Sequence, residues 1–491
     1  MTTMVTSIYA DTTPLLDAIA ASDTGGIIRE TLDLLGSYKV RPDKIAGSVG
    51  LPALWGAAEP HHLAAFSTVG RVSDWMRAIP IGPDPADDAR RQLSPALPLV
   101  QGFLAVADAV KRGLPEPHPA LPEPLLPAEV KHENGVIGGM RDAFARRDVE
   151  TIRRILLGYH ATGADYRTFQ GTLYAALVHR YPEGGHPLIF ALAGVRVLDM
   201  AEWGDHGPPF IYWYPLVMVD DAPDAPAAQT AQQFAAEQSH DLGWLRTRLA
   251  PAKEEAAGSE FQLALSVGDA AAACEAVLGA LRNGATTRGV AAGMALAAAQ
   301  RLNAVPEGDR AELMRVGHVL WYVNAVHAAL TQVQDPILFP LVYTAACAVN
   351  ALGPARGPSV PSTPASAALT GGGLIPGTML RTMQQQLADG EIASAHYTAR
   401  RYIQMGQSAR ALAGIAASVA ATHDTTAGDD YASHAMPLVA AAAEEYLSLP
   451  PALAQNGQNA LLTALVRLTS EMRGRHDMAD RVGAAIEAQV G

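Results

Sequence analysis

Residues 268–302 read GDAAAACEAVLGALRNGATTRGVAAGMALAAAQRL. Gly268-Asp269 opens an amphipathic run that closes at Asn283-Gly284, and a second run goes from Thr286 to Leu302. Asp and Thr accept from the free backbone N–H groups of a helix start. Asn and Gly suit the left-handed position past a helix end. Alanine has the best helix propensity of all residues, and Ala270–Ala273 lie wholly inside the first run. The stretch therefore predicts two helices joined by a tight turn.

The same reading extends in both directions. Gly317-His318-Val319-Leu320 opens a third helix and Asp335-Pro336 a fourth. An earlier segment repeats the order: Arg147-Asp148 opens a helix to Tyr159, Asp165 to Tyr181 follows, then Gly185-His186-Pro187-Leu188, then Pro208-Pro209. Pro60-His61-His62-Leu63 and Ser433-His434-Ala435-Met436 occupy the third place in a first and a last segment, and a final helix is expected from about Ala460. Pro98-Leu99-Val100, Pro215-Leu216-Val217 and Pro340-Leu341-Val342 recur in the fourth helix, with Ala464-Leu465-Val466 in the last copy. β-branched and aromatic clusters of the strand-forming kind are scarce.

We therefore expect an all-α chain of four diverged tandem repeats, about four helices each: 1–111, 133–218, 258–352 and 379–491. Between them lie three segments read as linkers, Arg112 to Pro127, Asp220 to Ala231 and Leu352 to Gly377, the last including Gly371-Gly372-Gly373. Proline and glycine at this density break helix and strand alike.

Composition narrows the function. The 491 residues are 49% hydrophobic and 17% charged, with a net charge of −13. No basic stripe is present, so nucleic acid is not an expected partner. The two cysteines, Cys274 and Cys347, lie in alanine-rich runs and read as core residues; without CxxC there is no thiolate metal site. The stretch Met1 to Asp11 lacks a signal-peptide plan, and Pro336 to Leu352 is interrupted by Pro340, Thr344 and Asn350. A cytoplasmic protein without membrane spans is expected. P-loop, Rossmann, HExxH and GxSxG patterns are absent.

The candidate chemistry rests on the aligned histidines His62, His186, His318 and His434. His62, Phe66 and Gly70 repeat the spacing of His186, Phe190 and Gly194, which lines one helix face, and the adjacent His61 is expected to point elsewhere. Neutral imidazole is the commonest ligand for iron, copper and zinc. Brought together, the four would form a metal centre, with iron the expected ion. Kept apart, each would be a cap or core residue of its own repeat. His327, nine residues after His318, and His160 with Asp165 are candidate catalytic groups. His423 with Asp429 and Asp430 makes a similar junction, although an Asp before a helix is ordinarily a cap. Trp203-Gly204-Asp205-His206-Gly207 reads as a turn or lid. The aromatics Phe210, Tyr212, Trp213, Tyr214, Trp321 and Tyr322 suit the wall of an apolar pocket.

Gly268-Asp269-Ala270-Ala271, Gly284-Ala285-Thr286, and Gly317-His318 with Asn324-Ala325-Val326-His327 resemble the helical domain of bacterial Rieske-associated proteins, as does Gly185-His186-Pro187-Leu188-Ile189-Phe190. Pro60-His61-His62-Leu63 and His186-Pro187-Leu188 more weakly resemble questin oxidase-like proteins. The resemblance implies a metal that receives electrons, and oxidative ring cleavage or Baeyer–Villiger-type chemistry on an aromatic polyketide. The chain carries no Rieske cysteines, so the electrons would come from a separate donor or from the substrate. The expectation is thus a non-heme metal oxygenase of secondary metabolism acting on an apolar small molecule. The alternatives are a metal-free cyclase, isomerase or dehydratase using histidine acid–base catalysis, and a non-catalytic helical binding scaffold.

Overall fold

The computed structural model describes residues 11–50, 60–80, 85–111, 120–182, 184–203, 207–219, 222–238, 242–249, 257–354, 376–426 and 430–491. Asp429, the loop residues Gly204-Asp205-His206, the triplet Gly371-Gly372-Gly373, residues 112–119 of the first linker and almost all of the stretch Met1 to Asp11 lie outside them. Among the described residues every regular element is helical and there is no strand. No helix among them is long and apolar enough to cross a membrane.

The caps read from the sequence are in place. Asp148, Asp165 and Asp269 accept from the backbone N–H of Thr151, Thr168 and Ala272 at 3.0, 2.9 and 2.9 Å. Thr286 accepts from Gly289 at 2.9 Å. Each such cap is worth about 1 kcal/mol. The helices Ala270–Arg282 and Thr287–Asn303 follow as expected.

Four boundaries differ from expectation. His318 lies two turns inside a long helix, Arg310–Gln332, because Asp309 caps it by accepting from Glu312 N–H at 3.1 Å. His434 is the fifth residue of Asp430–Leu447, and the last bundle helix starts at Pro451 rather than Ala460. The segment read as a second linker becomes helical from Pro226. Proline is well tolerated at a helix start, and Ala228, Ala231 and Phe234 then bury one face, Phe234 against Tyr343 with ring centroids 5.0 Å apart.

The centre of the molecule is built from four helices, one from each of the four segments: Pro60–Arg77, His186–Met200, Arg310–Gln332 and Asp430–Leu447. The first packs on the second and fourth, and the third packs on the same two, so the four close into a ring. All four run in the same direction. His61 meets His434 near the helix starts, and Arg71 pairs with Glu444 ten residues further along both. His318 meets His434, and His327 pairs with Glu445. Parallel neighbours require the chain to return between them, and the intervening helices do so on the outside of the ring. One continuous apolar core runs through all four segments.

Candidate metal centre

Four imidazoles close a circle at one end of this bundle. Ring centroids are 4.8 Å apart for His61 and His186, 5.3 Å for His186 and His318, 4.8 Å for His318 and His434, and 4.2 Å for His434 and His61. The Nε2 atoms of His61 and His186 are 3.4 Å apart. Two imidazole nitrogens bound to one tetrahedral ion at about 2.1 Å stand about 3.4 Å from each other. His61, His186 and His318 each offer a ligand nitrogen, and all three lie within 4.8 Å of one another.

Local structure fixes these rings. The His318 Nδ1 lies 2.8 Å from the Met314 carbonyl oxygen. A carbonyl only accepts, so Nδ1 carries the proton and Nε2 keeps the lone pair that a metal needs. The His434 Nδ1 is 3.1 Å from the Ser433 hydroxyl. His186 is set by the two residues before it. Gly184 and Gly185 have φ of +80° and +87°, and a Cβ on Gly185 would stand 2.2 Å from the Tyr322 ring. Only glycine allows the chain to turn there while lying flat on the helix that carries His318.

The surroundings favour the neutral form of His61, His186 and His318. Burial is the largest cause, pulling His61 down to about 2, His186 to about 3 and His318 to about 4. Mutual repulsion adds to it: His434, His186 and His318 depress His61; His318 and His434 depress His186; and His434 depresses His318. Phe190 stacks on His186 at 5.0 Å and meets His61 edge-on at 5.3 Å. Trp321 lies 5.8 Å from His318 and 6.5 Å from His434. Phe190 and Trp321 thus give the ring aromatic walls.

Of the four histidines aligned by sequence, His186, His318 and His434 are in the circle. His61 is the fourth member, where the register chose His62. Successive helix residues differ by about 100° in direction, so one of the two neighbours faces the bundle axis and the other does not. The Phe66–Gly70 match misled because its parts have unlike causes. Gly194 makes room for Tyr214, whose ring would be 2.1 Å from a Cβ, whereas Gly70 has nothing closer than 3.4 Å. A better signal was present: Arg71, Arg196 and Glu444 each follow a circle histidine by ten residues.

The other candidates are elsewhere. His327 is one helix segment away, with Nδ1 3.0 Å from Glu445. Asp165 is exposed and caps a helix, and His160 lies against Gly207, where a Cβ would meet its Nε2 at 2.7 Å. His423 Nδ1 accepts from the Gly474 N–H at 2.6 Å. Tyr212 lies under the Arg153 guanidinium at 3.8 Å, and Tyr214 donates to the Ala191 carbonyl. These two aromatics pack behind the His186 helix, whereas Trp321, also expected at the pocket wall, does line the circle, together with Phe190. Cys274 and Cys347 are buried with their sulfurs 3.4 Å apart.

No family model, curated protein or solved structure matches the chain.

Proposed function

We propose that the protein is a metal-dependent enzyme with an all-histidine centre, an oxidoreductase that uses non-heme iron to activate dioxygen against an apolar small molecule. The observation that carries this reading is the circle itself. Four distant segments each supply an imidazole to one circle, three of them with ligand nitrogens within 4.8 Å of one another, and a cap or core role in separate helices requires no such meeting. The donor set fits a first-row transition metal. It has nitrogen only, no thiolate, and it is neutral, so it leaves the ion its full charge and free positions.

A bound iron ion would supply dioxygen activation and one-electron chemistry. The residues have separate duties. His61, His186 and His318 hold the ion through neutral nitrogens, and the Met314 carbonyl keeps the His318 tautomer fixed. Phe190 and Trp321 exclude water and offer flat apolar contact to a substrate. With no second redox group in the chain's motifs, electrons come from a separate donor or from the substrate. Metal-free acid–base catalysis is less well served. A general base works best with a pKa near the working pH, and burial lowers His61, His186 and His318 away from it.

Elemental analysis of untagged protein tests the proposal. About one equivalent of iron, lost in His186→Ala, supports it. Less than about a tenth of an equivalent of iron, manganese, copper or zinc after anaerobic reconstitution refutes a metal centre. Stoichiometric zinc with no iron uptake refutes the redox part.

A further inference from the structure

The opposite end of the bundle carries a second cluster of ionisable groups. Asn324 and His327 project from one helix, and Glu444 and Glu445 from its neighbour. His327 is nine residues beyond His318, which places it about 13.5 Å along the helix. A small ligand held there does not reach the histidine circle. Glu445 is 2% exposed. Its carboxylate accepts from Asn324 Nδ2 at 2.9 Å and lies 3.0 Å from His327 Nδ1. Glu444 takes different partners, Arg71 and Arg196, the latter at 3.3 Å. The two adjacent carboxylates therefore divide their work: one neutralises arginines and the other orients a histidine.

His327 lines an open cleft of about 440 Å³. A carboxylate can only accept, so the His327 Nδ1 carries the proton and Nε2 is the ring's accepting nitrogen. Trp75, Ala328 and Leu447 give the cleft an apolar wall. Arg410 stands in the lining, exposed, without an ion-pair partner among the described residues. The lining charges are Asp74, Glu444 and Glu445 against Arg71 and Arg410, so there is no positive excess to hold a preformed anion such as phosphate. A neutral ligand that brings its own donor fits better.

We propose that this cleft is a second ligand site, taking a neutral planar molecule with a weakly acidic O–H or N–H, and that His327 is its proton acceptor. The ring lies along Trp75 and the donor points at Nε2. On transfer the O–H or N–H bond breaks, its proton passes to Nε2, and its electron pair stays on the ligand as a negative charge facing Arg410. Glu445 stabilises the resulting imidazolium through Nδ1–H. The site does not depend on a metal in the histidine circle.

The test uses 4-nitrophenol, whose absorption reports its ionisation, titrated into the full chain with and without added iron. The expected result is saturable one-to-one binding, the same in both states, with the bound spectrum moved towards the phenolate. His327→Gln removes that spectral move, and Arg410→Gln weakens binding about tenfold, as loss of a charge-assisted contact does. Ser448→Trp, at an exposed position of the lining, fills the cleft and blocks binding, and so decides the matter if His327→Gln does not fold. Absence of saturable binding overturns the proposal, as does an unaltered spectrum in folded His327→Gln. Binding that requires iron and disappears in His186→Ala also overturns it, because the ligand would then be at the histidine circle.

Discussion

Replacing Gly185 with alanine tests how tightly the turn before His186 is built. Two costs add. The backbone has φ of +87°, a region that costs an L-residue about 1–2 kcal/mol. The new Cβ would also stand 2.2, 2.7 and 2.8 Å from three carbons of the Tyr322 ring. Tyr322 is fully buried, with its ring 4.6 Å from that of Tyr181, so it has nowhere to retreat. Overpacking of this kind costs about 1–3 kcal/mol. The sum is about 2–5 kcal/mol. Gly163→Ala is the matched control: its φ is +65° and nothing lies within 4 Å of its Cβ, so only the backbone cost of about 1–2 kcal/mol applies. Urea unfolding followed by tryptophan fluorescence compares the two. Gly185→Ala should be the less stable by about 1–3 kcal/mol and should also bind metal more weakly, since its neighbour is a ligand. If the two variants lie within about 0.5 kcal/mol of each other, Tyr322 does not confine the turn and the argument fails.

Three further outcomes follow from the geometry. His61→Ala should lower metal affinity at least about tenfold, whereas His62→Ala should leave metal content unchanged; dialysis against a metal buffer with elemental analysis separates them, and the reverse result would restore the sequence register. Metal-free protein should lose stability on acidification. Histidines held below their ordinary value, among them His179 at about 4 through burial and then Arg141, are neutral when folded and protonate when unfolded, so stability is intact above about pH 6.5 and falls as pH drops towards 4; urea midpoints that do not change between pH 7 and 5 would contradict this. Cys274 and Cys347 are each 0% exposed, so thiol reagents should label neither in the native protein and both on unfolding. Rapid native labelling would show that the helices Ala270–Arg282 and Pro340–Asn350 open locally.

What the sequence made legible depended on how local the cause was. Helices were readable because their causes are short-range: Asp148, Asp165, Asp269 and Thr286 cap within three residues, and alanine acts where it stands. Boundaries failed where a cap competed with an assumed pattern, as when Asp309 started the His318 helix two turns early. Three members of the histidine circle were found from their shared place in the order of elements. The fourth was missed because the choice between His61 and His62 is a question of facing, and facing is set by distant packing. Glu445 was not legible at all: it is 118 residues from His327, and next to Glu444 it reads as one more charge on a helix.

The two polar layers explain each other. Burying a histidine circle in a parallel bundle requires four helices to hold one axial register. A slip of one residue turns every side chain by about 100°. The charged layer ten residues on supplies such a constraint. Arg71 and Arg196 both reach Glu444, and Asn324 and His327 both reach Glu445. A slip of any one helix would leave a charge largely out of water without its partner, a cost of several kcal/mol. Fixing register is the best-attested use of such buried polar contacts. The same spacing that aligns Arg71, Arg196 and Glu444 then aligns His61, His186 and His434 about 15 Å away. The ionic layer thus bears on the histidine circle without touching it, by favouring the axial register in which the four helices bring their imidazoles together.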